Sequence, residues 1–204
     1  MSKPKIVGIY LAAGKSTRFE NNKLFATFKN KPLGSIGLEA AIESKLDEII
    51  IIIRPGDKLN WTTKQIKLSK TRWIKKECTE AYKGQSYSLK CGLTLAEKLG
   101  ADAIVVLLAD QPFVTPKFID RLIESFYKNS KSYFIGTIGL ICPPILISSN
   151  LFSKIYEIEG DRGASEIIQA EKKNGLFLKK DSHDLYTFFD VDTKTDFEKL
   201  KQLY

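Results

Sequence analysis

Sulfur and imidazole are scarce in this chain: its 204 residues include three cysteines, one methionine and one histidine. Cys78, Cys91 and Cys142 are odd in number, far apart and free of any CxxC arrangement, which excludes a disulfide framework and a zinc site. They are expected as reduced thiols, two of them in or near the core. His183 stands in the polar stretch "KKDSHDLY", a solvated surface setting that argues against acid–base work. Long apolar runs are also missing. Ile49 to Ile53 and Ile104 to Leu108 fall far short of the ~20 residues that a membrane-spanning helix requires. The opening "MSKPKIVGIY" enters a strand without a secretory cleavage pattern, so a cytoplasmic protein with no membrane partner is expected. Repeats, low-complexity tracts and linkers are absent, and residues 1–204 read as a single domain. The net charge is +8, yet the lysines are scattered through "KLNWTTKQIKLSKTRWIKK" and elsewhere rather than gathered in one basic run. That distribution argues against a nucleic-acid partner and suits small anions such as nucleoside triphosphates.

Strand-like and helix-like stretches alternate along the chain, the pattern of an α/β protein with a mostly parallel central sheet and helices on both faces. "KIVGIYLA", "DEIIIIIRPG", "RWIKKEC", "ADAIVVLLADQP", "SYFIGTIG", "PPILISS" and "DLYTFFDVD" read as strands. "LGSIGLEAAIES", "QSYSLKCGLTLAEKLG", "TPKFIDRLIESFY", "NLFSKIYEIEG" and "GASEIIQAEKKNG" read as helices, and Thr195 with Glu198 as a capping box for the closing one. Thr115 is the expected N-cap of its helix, with Pro116 in the first turn.

In open parallel sheets, ligands gather at the carboxyl ends of the strands. Three stretches lie there: the loop after the first strand, the turn holding Asp110, and the segment holding Asp190 and Asp192. The first contains Gly14-Lys15-Ser16, the ending of a phosphate-gripping loop. That loop requires four residues between its first glycine and the Gly-Lys-Ser, because its amides must close into one nest around the phosphates. Here five residues separate Gly8 from Gly14, and Gly8 lies inside the strand. The template fails by one residue and Lys15 becomes a bystander. Asp110 follows six strand-like residues and precedes Gln111 and Pro112, which sets a carboxylate where the sheet ends. From its position alone it is a helix cap or a turn former. Asp190 and Asp192 share one face of an extended segment, where an Asx turn leading into the last helix is the local reading. Trp61, Trp73 and Tyr82 are packing residues on base rates, though any of them can contact a flat ligand.

"LAAGKSTRFENNK" resembles the LAAGxSxRMGxxK signature of the nucleotidyltransferases that activate molybdopterin. Leu11, Ala12, Ala13, Gly14, Ser16, Arg18 and Lys23 match it, while Phe19 and Glu20 replace methionine and glycine. "AYKGQSYSLKCGL" is similar to the family segment in which a serine, here Ser88, lies near the base. "LLADQPFVT", "EGDRGASEII" and "FDVDTKTDFEKL" resemble the later family motifs, and all occur in family order from Ile6 to Leu200. The resemblance implies a Rossmann-like fold of the nucleotide-diphospho-sugar-transferase type. It further implies transfer of CMP from CTP to the phosphate of molybdopterin cofactor, with release of pyrophosphate. In that reading Asp110 and Asp192 hold Mg2+, and Arg18, Lys23 and Asp110 are the catalytic set. Leu11, Ala12, Ala13, Gly14, Ser88 and Asp110 bind the nucleotide, and Gln111, Pro144, Asp161 and Gly163 face the acceptor. An apo-molybdoenzyme such as xanthine dehydrogenase is the implied recipient.

The chain departs from the family at "CPP", residues 142–144, where Gly-His-Pro is usual. It departs again at Gly163, Ala164 and Ser165, where Gly-Ala-Arg is usual; an arginine there would be a bidentate phosphate partner. Both departures fall in the acceptor half. Related guanylyltransferases carry LAGG, and the extra methyl of Ala13 leaves less room for a purine, which favours CTP. The alternatives are a GTP-dependent guanylyltransferase, a cytidylyltransferase for another phosphorylated small molecule, and a non-catalytic carrier of the cofactor.

Overall fold

A computed structural model describes residues 3–19, 22–70, 72–160 and 164–203. The strands are β1 (Ile6–Leu11), β2 (Thr27–Phe28), β3 (Lys31–Pro32), β4 (Glu48–Ile53), β5 (Trp73–Glu77), β6 (Ala103–Leu108), β7 (Phe134–Thr137), β8 (Ile145–Ser148) and β9 (Leu176–Leu178). The helices are α1 (Leu33–Glu43), α2 (Lys64–Lys67), α3 (Gln85–Lys98), α4 (Pro116–Lys128), α5 (Phe152–Ile155), α6 (Ser165–Ala170) and α7 (Lys194–Gln202). Seven strands form one sheet in the order β5-β4-β1-β6-β8-β7-β9, and β2 pairs with β3 in a small hairpin. Only β8 runs against its sheet neighbours, β6 and β7; the remaining pairs are parallel.

Side chains alternate across a strand, so β1, β4 and β6 must present apolar residues on both faces once both are covered. Ile49, Ile51 and Ile53 of β4 pack with Tyr10 and Leu107 under α1 and α4, through Leu38, Phe118 and Leu122. Ile50 and Ile52 pack with Ile9 and Val106 on the opposite face, beneath Leu89 and Leu93 of α3 and Phe152 and Ile155 of α5. Five consecutive isoleucines, all fully buried, therefore serve two cores at once.

Because β8 is reversed, its start lies at the same rim of the sheet as the ends of β1, β4, β5, β6, β7 and β9. The segments that begin at residues 12, 54, 78, 109, 138 and 179 all spring from that rim. Thr115 caps α4 as expected, its Oγ1 accepting from the Phe118 amide at 3.2 Å.

Several sequence expectations change in structure. "DLYTFFDVD" forms turns and no strand, because its rings are drawn onto neighbouring aromatic groups: Phe188 meets Phe118 edge-on at 5.5 Å, and Tyr186 and Phe189 flank Phe113. The capping box of α7 is Thr193 with Asp196, two residues earlier than Thr195 with Glu198. Both pairs have the right spacing, but only Thr193 adopts the extended backbone that a cap needs. "NLFSKIYEIEG" contributes only α5, entered by a 3-10 turn at Ser149–Leu151, and "GASEIIQAEKKNG" shortens to α6 with a 3-10 turn after it. The three-residue strand β9 and the β2–β3 hairpin are too short to signal themselves by periodicity. Cys78 is buried, whereas Cys91 and Cys142 are partly exposed.

Candidate functional site

The loop after β1 is held at its base by the sheet. The Ala12 amide donates to the Ile52 carbonyl at 2.8 Å, and the Ala109 amide donates to the Leu11 carbonyl at 3.1 Å. Arg54, the first residue beyond β4, fixes the next peptides: its Nε donates to the Ala13 carbonyl at 3.2 Å and its Nη2 to the Gly14 carbonyl. Sequence reasoning missed Arg54, and the available signal was a cation directly after a wholly buried strand. A Cβ built on Gly14 meets nothing within 4 Å, so neither packing nor an unusual φ demands glycine there. What its missing side chain leaves is open space beside the backbone. Phe19, in place of the family methionine, is buried against α7 and meets Phe197 edge-on at 5.8 Å. Glu20 lies outside the described residues.

Beyond the loop a 3-10 turn, Lys23–Phe25, is capped by Asn22, whose Oδ1 accepts from the Leu24 amide at 3.1 Å. The turn buries Leu24 in the core beneath α1 and so carries Lys23 inward, where its side chain is only 8% exposed. Lys23 Nζ donates to Asp110 Oδ2 at 2.5 Å and to Asp192 Oδ1 at 3.0 Å. Arg18, largely exposed, donates from Nη2 to the other oxygen of Asp192 at 3.0 Å. Burial works against the Lys23 charge, but Asp110 and then Asp192 outweigh it and hold the ammonium above the ordinary lysine pKa. Asp110 and the 190–192 segment are joined through the backbone as well, the Val191 amide donating to the Asp110 carbonyl at 3.0 Å. Residues far apart in sequence thus form one alternating chain of charge: Arg18, Asp192, Lys23, Asp110.

A second polar group lies beside it. Gln111 is buried, and its Nε2 donates to Asp190 Oδ1 at 2.8 Å and to the Pro143 carbonyl at 2.9 Å. Asp190 keeps surface open to solvent, but its carboxylate turns inward onto Gln111. Burial of that group, followed by the charge of Asp110, pushes its pKa up to about 6. Asp190 and Asp192 accordingly diverge in partners, one meeting Gln111 and the other the two cations. Pro144 is buried, and burial and then Asp190 raise the Cys142 thiol. Asp161 and Gly163 lie outside the described residues. Their neighbour Gly160 is tied to α3, its carbonyl accepting from the Ser86 amide at 3.2 Å and from the Ser86 hydroxyl at 2.7 Å.

These elements enclose a cleft of about 620 Å3, whose walls include Leu11, Ala13, Gly14, Arg18, Lys23, Ser88, Asp110 and Asp192. Ala12 borders a small adjoining hollow together with Gly14, Lys23 and Asp110. Lys15, left without a role by the failed phosphate-loop spacing, also lines the cleft, as does Tyr82. Trp61 is fully buried in the core and Trp73 packs against the same cluster, so neither reaches the cleft. One buried oxygen in this wall has no partner, Asp110 Oδ1. Among the described residues no three His, Cys, Asp or Glu side chains gather in a way that would hold a metal ion by themselves. The cleft thus combines a mostly small-residue floor, a largely exposed cation at Arg18, and a carboxylate pair spanned by a lysine.

The model of the MobA-like NTP transferase domain matches residues 8–175. Purine catabolism protein PucB of Bacillus subtilis is similar to this chain at 34% identity, covering 99% of this chain and 98% of its own length. "Probable molybdenum cofactor guanylyltransferase" of Pyrococcus furiosus is 29% identical, covering 96% of each chain. Among solved structures, Rv0371c of Mycobacterium tuberculosis superposes with a TM-score of 0.74 at 22% identity, covering 99% of this chain and 100% of that one, a likeness of fold. The expectation drawn from Leu11 to Lys23 and the later motifs is met over most of the sequence, and the chain belongs to the MobA-like NTP transferase domain family.

Proposed function

We propose that the protein transfers CMP from CTP to the phosphate of molybdopterin cofactor and releases pyrophosphate. The observation that carries the reading is the Arg18–Asp192–Lys23–Asp110 chain at the mouth of a cleft floored by Ala13 and Gly14. Transfer of a nucleotidyl group needs an acceptor oxygen to approach the α-phosphorus in line with the departing pyrophosphate. The new P–O bond forms on the acceptor phosphate as the bond to the β-phosphate oxygen breaks. Little covalent help is required; positioning and charge neutralisation lower the barrier. In this reading the backbone of Ala12, Ala13 and Gly14 approaches base and phosphates, and Ser88 lies near the base. Arg18 and Lys23 neutralise the charge that moves onto pyrophosphate.

Asp110 and Asp192 fit a magnesium ion: both are hard oxygen donors, and Asp110 Oδ1 is buried without a partner. Two carboxylates are few, which suits an ion that completes its shell with water and the substrate's own phosphates. Bound there, magnesium supplies positive charge to the triphosphate oxygens. Gln111, Pro144, Asp161 and Gly163 are assigned to the acceptor side. The name of the Bacillus relative places that protein in purine catabolism. An apo-enzyme such as xanthine dehydrogenase, which oxidises purines, is the recipient that agrees with it, and the cytoplasm is the compartment that agrees with such a recipient.

GTP is the second reading, favoured by the guanylyltransferase of Pyrococcus furiosus among the relatives. The test is a screen of CTP, GTP and ATP, each with magnesium, against molybdopterin cofactor and against simple sugar and alcohol phosphates, reading pyrophosphate. The expected result is release with CTP and molybdopterin cofactor only, reduced at least ~100-fold by Asp110→Asn, in line with losing one preorganised charge contact. Faster turnover with GTP overturns the donor, and release with another phosphate overturns the acceptor. Tight cofactor binding without release identifies a carrier. Loss of nucleotide binding in Lys15→Ala, with turnover intact in Lys23→Ala, restores the phosphate-loop reading.

A further inference from the structure

We propose that Lys23 is the resident cation of the Asp110–Asp192 pair in the nucleotide-free protein, and that a divalent ion must compete with that lysine for the pair until a triphosphate draws the lysine away. This rests on the reading of the two carboxylates as the metal site, and it adds an order of events to it.

Three observations carry the inference. First, both oxygens of Asp192 are already taken: Oδ1 accepts from Lys23 at 3.0 Å and Oδ2 from Arg18 at 3.0 Å. A metal bound by both carboxylates must therefore share an Asp192 oxygen with a cation, at the cost of their repulsion, or displace that cation. Second, Lys23 also holds Asp110 Oδ2 at 2.5 Å, leaving Oδ1 of Asp110 as the one oxygen of the pair without a partner. Third, the Lys23 side chain is 8% exposed, and its turn is anchored by buried Leu24. The ammonium cannot exchange its two carboxylates for water without moving outward, because a buried charge that loses its partners bears the full cost of desolvation. Another anion reaching into the cleft removes that cost. A triphosphate is such an anion, and it neutralises the dication as it arrives. Free metal brings two positive charges toward a buried ammonium and offers it no new partner.

The site then behaves as an exchange of cations. Before substrate, Lys23 keeps Asp110 and Asp192 together against their mutual repulsion. With substrate, Lys23 turns to phosphate oxygens and the vacated carboxylate oxygens accept the metal. The two ions are exclusive in one state and cooperative in the other, and the triphosphate decides which.

Manganese serves as the probe, with binding to the intact, nucleotide-free protein followed by electron paramagnetic resonance and calorimetry. Lys23→Gln is expected to bind Mn2+ at least tenfold more tightly than the wild type, whereas Lys23→Arg, which keeps the charge, stays within threefold of it. Adding Asp110→Asn to Lys23→Gln is expected to abolish the gain. Equal Mn2+ affinity in wild type and Lys23→Gln overturns the exchange, and Mn2+-supported pyrophosphate release by the wild type would then leave the metal reading standing. If Mn2+ supports no release and Asp110→Asn leaves its binding unchanged, both fall.

Should Lys23→Gln not fold, the wild type alone decides through amine labelling with a succinimidyl ester, read by mass spectrometry. Saturating Mn2+ without nucleotide is expected to raise labelling of Lys23 severalfold relative to exposed Lys15. Saturated binding with Lys23 labelling unchanged overturns the proposal.

Discussion

At the scale of single residues, the loop after β1 concentrates most of the testable chemistry. Ala13 is buried at the cleft floor, and its methyl is the one atom by which this loop differs from a Gly-Gly version. Ala13→Gly is expected to improve GTP relative to CTP by about tenfold, since one methyl in a binding pocket is worth ~1–3 kcal/mol; competition between the two nucleotides measures it. Arg54 does not line the cleft but holds the carbonyls of Ala13 and Gly14. Arg54→Ala is expected to raise the KM for CTP about tenfold and leave kcat within a few-fold. Hydrogen bonds from a charged donor contribute ~1.5–3 kcal/mol, and these two order a loop without joining the reacting atoms. Steady-state kinetics on the folded variant reads the split. Asp110, Lys23, Arg18 and Asp192 were legible in the sequence as residues at the carboxyl ends of strands or within a family motif. Their contacts were not. Periodicity locates a residue on an element, but it carries no information about a bond between positions 23 and 192.

At the scale of elements, strands with strong two-sided burial were legible and those shaped by tertiary contact were not. β4 announces itself through five isoleucines, and β6 through six apolar residues ending at an acid. The segment 185–192 has the same aromatic and β-branched composition as a strand, yet its rings find Phe113 and Phe118 before its backbone finds a strand partner. Short elements such as β9 carry too few residues for any period to emerge. The placement of Lys23 depends on how α1 meets the turn before it. A Cβ on Gly34 of α1 comes within 2.9 Å of both Leu24 Cβ and Trp61 Cε3, and Trp61 is fully buried. Gly34→Ala is therefore expected to destabilise the fold by ~1–3 kcal/mol through overpacking. It should also weaken nucleotide binding, because Leu24 can yield only by shifting the Lys23 turn. Denaturant unfolding and nucleotide titration of the same sample check the two effects together.

For the whole molecule, the charge of +8 acts on the encounter with substrate rather than on the fold. A highly charged nucleotide approaching a basic protein gains speed at low salt and loses it once the Debye length falls to ~8 Å near 0.15 M. The KM for CTP is expected to rise severalfold between roughly 0.05 and 0.3 M salt while kcat changes less than twofold, a contrast that initial-rate measurements separate. The alternation of strands and helices made the layered architecture legible, but the reversal of β8 was not, since one short strand reads the same in either direction. The parallel strands give the sheet a working rim and a holding rim, and that reversal brings the 138–144 loop to the working one. The loops after β1, β5 and β6 that border the cleft leave from the first, while residues 44–47, 99–102 and 129–133 turn back at the second. Foreign sequence placed on the holding rim has no route to the chemistry. A peptide inserted between Ser130 and Lys131 should leave turnover intact, whereas the same peptide between Ile138 and Gly139 should abolish it, a pair of constructions that pyrophosphate release distinguishes in one assay.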